Sequence, residues 1–164
     1  PPTTLLSSAA SDVYKRQPFR NGRCLVIARG FFEWQLVNGK KIPWYISLKS
    51  KQPFAFAGLY DSWKDPHEEH IRHTFSIITT SANPLMEKIH NTKKRMPVIL
   101  PESTEDQWIS GDMSLHKANQ LLLPFDEAEL QAHTVKPSLS AAHNNPQDPD
   151  IITPYEHQVP GKLF

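Results

Sequence analysis

The sequence predicts an α+β fold, built mainly from antiparallel strands with a few short helices. Three observations lead there. Runs of β-branched and aromatic residues alternate with turn residues along most of the chain. An Asn38-Gly39 pair separates two such runs. Fifteen prolines against 6 glycines in 164 residues favour rigid turns over long helices.

The elements follow in order. Arg23 begins the strand text, with Cys24 to Ala28 as a first strand. A second runs from Phe31 through Leu36, after a Gly30 that permits a bend between the two. Asn38-Gly39 supplies the positive φ angles of a tight hairpin turn and leads into a third strand, Ile42 to Leu48. Phe54 to Tyr60 and Thr74 to Thr80 read as two more, joined by a polar loop. Asn83-Pro84 marks a helix start, with Asn83 as cap, Pro84 at the first helical position and His90 at the end. Val98 to Leu100 is a short strand, Ser103 caps a helix through Trp108, Leu115 to Leu123 is another helix, and Leu130 to Val135 is a last strand.

Both ends differ from this body. Pro1 to Gln17 is rich in Ser, Thr and Ala and lacks periodicity, so residues 1–17 are expected to be unstructured and unrelated to the domain. Residues 18–164 are expected to form a single domain, whose Pro-, Asn- and Asp-rich tail after Val135 follows the surface.

Composition narrows the function. A single cysteine, Cys24, excludes an intrachain disulfide framework and a structural zinc site built on cysteine pairs, which fits a reducing, cytoplasmic compartment. No stretch of the sequence is apolar for long enough to cross a bilayer. The net charge of +1 is unevenly spread: residues 1–100 hold 15 Lys/Arg and 7 Asp/Glu, net +8, and residues 101–164 hold 3 and 10, net −7. A basic half of this kind can attract a polyanion such as nucleic acid.

Several residues could carry chemistry. Glu33, in Gly30-Phe-Phe-Glu-Trp34, sets a carboxyl group among aromatic rings, although strand alternation also allows it to face solvent while Phe32 and Trp34 fill the core. His90 places an imidazole at a helix end, next to a loop in which Lys93, Lys94 and Arg95 could hold phosphates or simply be solvated. His67, His70 and His73 form a cluster, but position 71, four after His67, is Ile, so the zinc-protease spacing fails and an exposed loop is expected, with no metal. No serine sits in a Gly-x-Ser-x-Gly setting, and Cys24 within an apolar strand reads as a structural thiol.

The ordered set Arg23-Cys-Leu-Val, Gly30-Phe-Phe-Glu-Trp, Pro43-Trp-Tyr-Ile, Phe56-Ala-Gly-Leu-Tyr, Phe75-Ser-Ile-Ile-Thr-Thr, and Ile89-His-Asn with Arg95-Met-Pro-Val-Ile-Leu resembles the SRAP family, the SOS response-associated peptidases. It covers residues from about Pro18 to Val135. The resemblance implies a barrel-like sheet and a monomer, without cofactor, that senses abasic sites in single-stranded DNA. It implies a protective thiazolidine crosslink made by an N-terminal cysteine, which self-processing exposes. It further implies Glu33 and His90 as catalytic residues and Trp34, Thr79, Lys93, Lys94 and Arg95 as DNA contacts. The loop carrying the three cations is longer than in many family members.

The sequence begins Pro1-Pro2 and lacks the family's Asn-containing motifs ahead of Arg23, so the chain is expected to be an N-terminally truncated SRAP domain, inactive alone. Cys24 cannot replace the nucleophile, because its nitrogen is an internal amide. Two rival readings are a non-catalytic nucleic-acid-binding module and a metal hydrolase built on the His67, His70 and His73 cluster.

Overall fold

A computed structural model of the chain describes Phe19 and residues 22–64, 70–111, 113–137 and 148–157. Nine strands occur in it: β1 (Arg23–Ala28), β2 (Phe31–Val37), β3 (Lys40–Leu48), β4 (Phe54–Lys64), β5 (Ile71–Ile77), β6 (Thr79–Ser81), β7 (Arg95–Pro97), β8 (Ile99–Leu100) and β9 (Leu130–Thr134). Three short helices accompany them: α1 (Pro84–Ile89), α2 (Glu102–Ile109) and α3 (Leu115–Leu121). All ladders with a defined register are antiparallel, as the strand and turn pattern predicts. Among the described residues, no helix is long and apolar enough to cross a membrane.

The described residues fall into two compact units interleaved in sequence: those within 1–28, 54–81 and 96–125, and those within 29–53, 82–95 and 126–164. In the first unit β4 is central, paired with β1 from Arg23↔Leu59 to Ala28↔Phe54, with β5 from Gly58↔Ile77 to Lys64↔Ile71, and with β8. Ala57, Ile78, Val98, Leu100, Trp108, Ala118 and Leu122 form its buried apolar cluster. Trp108 fills this core because its one polar atom is satisfied, Nε1 donating to the Cys24 carbonyl at 3.0 Å. Helix α2 has no basic residue in its last turn, and the buried Arg23 guanidinium supplies that charge, donating to the Trp108 carbonyl at 2.7 Å and to that of Ser110.

The second unit holds the sheet β2–β3–β9, in register from Phe31↔Ile46 to Val37↔Lys40 and from Trp44↔Thr134 to Leu48↔Leu130. Asn38 and Gly39 adopt φ of 50° and 77°, which gives the tight turn the sequence predicts. Pro43 is tolerated in the central strand because its missing N–H falls where the β3–β9 ladder ends, and its carbonyl accepts from Val135 at 3.0 Å. The described part of the tail runs along β9. Tyr155 and Thr134 exchange two hydrogen bonds, and the Nε2 atoms of His133 and His157 meet the carbonyls of Ile152 and Val135 at 2.7 and 2.6 Å.

The structure redraws several boundaries. β4 extends to Lys64 and β5 begins at Ile71, so the hairpin is longer than the apolar text, because polar residues pair as readily where both faces meet water. The expected strand from Thr74 to Thr80 divides at Ile78, whose N–H and carbonyl bond to Ala57 and Val98. α2 starts at Glu102, with Pro101 in the cap position in place of Ser103, so no side chain caps it, and α3 ends at Leu121 rather than Leu123. The barrel-like closure is absent among the described residues: the ladders lie in separate sheets, and the chain leaves one at Ala28 and enters another at Phe31. Residues 1–17 and His67 lie outside the described residues.

Gly30, at that crossing, is held by close approach. A Cβ there would collide with the Tyr45 ring and hydroxyl and stand 2.6 Å from the Ile46 carbonyl oxygen. Backbone cannot yield as a flexible side chain does, so Gly30→Ala is expected to destabilise the fold by about 1–3 kcal/mol, measured as a lower urea midpoint at unchanged slope.

Candidate active site

Glu33 and His90 lie 57 positions apart in sequence, yet one strand and one helix bring them together. α1 is only six residues long, and its start is fixed by chemistry: Asn83 Oδ1 accepts the Met86 N–H at 2.8 Å, and Pro84 follows with φ preset for a helix. Met86 and Ile89 are buried, and α1 packs on β2. The β2–β3 register puts Phe31, Glu33 and Gln35 on the same face as Ile42, Trp44 and Ile46, of which Ile42 and Ile46 are buried. His90 terminates the helix as its C-cap, its N–H bonded to the Met86 carbonyl.

At this point the two side chains meet. His90 Nδ1 lies 3.5 Å from Glu33 Oε2, and both side chains are 21% exposed, so the pair is packed but reachable from solvent. Nδ1 also lies 2.9 Å from the Arg95 carbonyl oxygen. A carbonyl can only accept, so Nδ1 carries the proton and Nε2 is left with its lone pair in the neutral ring. Nε2 has no hydrogen-bond partner among the described residues. The other Glu33 oxygen, Oε1, accepts the N–H of Trp34 at 2.9 Å, which fixes the carboxylate's direction. An imidazole that takes a proton on Nε2 therefore becomes a cation beside the Glu33 carboxyl group, an arrangement suited to proton transfer.

The loop after α1 contributes through its backbone. Lys94 adopts φ of 50°, its N–H donates to the His90 carbonyl at 2.9 Å, and the turn returns the Arg95 carbonyl to the imidazole. Lys93 and Lys94 are exposed, and Lys94 Nζ lies 3.7 Å from Glu87 Oε2. Trp34 is 37% exposed, and as the neighbour of Glu33 along a strand it points to the opposite face. Thr79 belongs to β6 in the other unit and is half-buried. Cys24 also lies there, and burial pushes its thiol above the ordinary value, which leaves less thiolate at neutral pH. His73, from the histidine cluster, is in β5 with Nδ1 2.8 Å from Ser62 Oγ.

Sequence reasoning overlooked three residues. Trp44 faces Glu33 across the strands, and Gln35 joins Trp44 Nε1 to α1, its Oε1 accepting at 3.2 Å while its Nε2 donates to the Lys88 carbonyl at 2.9 Å. Asn91 bonds both backbone groups of Leu36. Gln35 was within reach of a period-two reading, since it lies on the same face as Glu33. Asn91 carries no local signal of its partner 55 residues away.

Comparison with known proteins places the chain among its relatives. A family model, SRAP (SOS response associated peptidase), matches residues 7–142. The abasic site processing protein YoqW of Bacillus subtilis (strain 168) is 40% identical over 139 residues, covering 84% of this chain and 59% of its own length. The abasic site processing protein HMCES of Xenopus tropicalis is 29% identical over 152 residues, covering 81% of the chain and 44% of its own length. A crystal structure of a Bacteroides thetaiotaomicron protein, Northeast Structural Genomics Consortium target BtR8, superimposes with a TM-score of 0.85 at 36% identity, over 91% of this chain and 63% of that one. The chain thus spans a little over half the length of YoqW.

The geometry of α1 can be tested locally. Asn83→Ala removes the cap and is expected to cost about 0.5–2 kcal/mol, with faster amide exchange at Met86 than elsewhere in the second unit. Unchanged exchange at Met86 would show that the cap does not hold the helix.

Proposed function

Because the chain belongs to the SRAP family, the SOS response associated peptidases, we propose that Glu33 and His90 are the acid/base pair of a centre that processes abasic sites in single-stranded DNA. The observation that carries this reading is the pair itself: a 3.5 Å contact in which the Arg95 carbonyl fixes the tautomer and leaves Nε2 able to take a proton. The DNA-facing roles of Trp34, Thr79, Lys93, Lys94 and Arg95 belong to the same proposal, with stacking and phosphate contacts that do not depend on base sequence. The acting protein is a cytoplasmic monomer.

The proposed reaction needs a proton moved at each step. An abasic sugar opens when its C1′ hydroxyl loses a proton, the C1′–O4′ bond breaks and O4′ is protonated, which leaves an aldehyde. The α-amine of a terminal cysteine adds to C1′, and loss of water gives an imine. The cysteine thiol then adds to the imine carbon and its proton passes to nitrogen, which closes a thiazolidine ring. His90 Nε2 takes and returns protons, and Glu33 balances the imidazolium. The nucleophile in this reading, as the family resemblance implies, is a terminal cysteine of the whole protein exposed by self-processing; Cys24, internal to β1, has no free α-amine and cannot take that part.

Glu33→Gln and His90→Ala, placed at the matching positions of a full-length relative, should each slow crosslinking to abasic single-stranded DNA by about 10²-fold or more. The readout is the denaturation-resistant DNA-protein species over time. Rates equal to the parent protein in both variants would remove the acid/base assignment and favour a site that only binds the strand.

A further inference from the structure

We infer that Asn91 and Gln35 are positioning residues that hold His90 against Glu33, an inference that rests on the acid/base reading of that pair. A six-residue helix has little stability of its own, so the place of its last residue must be set from outside. Two carboxamides set it. Gln35 Nε2 donates to the Lys88 carbonyl at 2.9 Å, two residues before His90. Asn91, directly after His90, accepts the Leu36 N–H on Oδ1 at 3.0 Å and donates from Nδ2 to the Leu36 carbonyl at 2.9 Å.

These ties reach positions two and three after Glu33, so both members of the pair are bracketed by the same strand and helix end. A carboxamide offers a donor and an acceptor side by side on one short planar group, and Asn91 uses it as a single rung of ladder on the outer edge of β2. Gln35 Oε1 is itself held by Trp44 Nε1 at 3.2 Å, which anchors the second tie to β3. When the Asn91 rung is lost, water can take its place at the exposed Leu36 groups, and β2 and the end of α1 are free to separate. The contacts of Nδ1 with the Arg95 carbonyl and Glu33 then weaken together.

The test is the tautomer of His90 in this chain, read by long-range ¹H–¹⁵N correlation of the neutral imidazole. The parent chain should show the Nδ1–H form. Asn91→Ala should raise the Nε2–H fraction at least about fivefold while the amide spectrum stays folded. A folded Asn91→Ala chain that keeps the parent tautomer would overturn the inference. Should that variant unfold, Gln35→Ala decides by the same two results. The tautomer reports geometry without turnover, so a failed crosslinking assay would remove the catalytic reading and leave this result intact, and the reverse also holds.

Discussion

The arrangement depends on how the outer edge of β2 is satisfied. A strand paired on one side only presents a row of N–H and carbonyl groups that must find partners or stay in water. In β2, the Trp34 N–H is taken by the Glu33 carboxylate, and both backbone groups of Leu36 are taken by Asn91. The groups that quiet the edge are thus the groups that build the site. Each such bond contributes only about 1 kcal/mol, but together they fix a carboxylate and a helix end in one frame.

The imidazole sits in that frame by backbone constraint. The α1 cap at Asn83 starts the helix, the C-cap at His90 ends it, and the Lys94 turn carries the Arg95 carbonyl back to Nδ1. A cation-rich loop that reads as a phosphate site therefore has a second duty, performed by a main-chain oxygen. Such a duty does not depend on the Arg95 side chain.

Much of this was legible in the sequence, for identifiable reasons. The Asn38-Gly39 turn, the Asn83-Pro84 helix start and the His90 helix end rest on backbone chemistry local to a few residues, and all three stand as expected. The alternation of β2 correctly separates Glu33 from Trp34, but it cannot say which face is covered. That was decided by α1, and it left Glu33 half-buried and Trp34 the more exposed of the two. The length of the β4–β5 hairpin and the Pro101 cap were not legible, because pairing partners and not local preference set them. Asn91 and Gln35 were missed for the same reason: their role lies in contacts across 55 and 53 positions.

The most direct measurement is amide hydrogen exchange along β2 in this chain, resolved by residue. With the outer edge closed by Glu33 and Asn91, the Trp34 and Leu36 amides should exchange at least about tenfold more slowly than unstructured peptide, in line with the inward amides of the strand. Exchange of Trp34 and Leu36 at the unstructured rate, with Gln35 protected, would show an open edge and contradict the frame that brings Glu33 to His90.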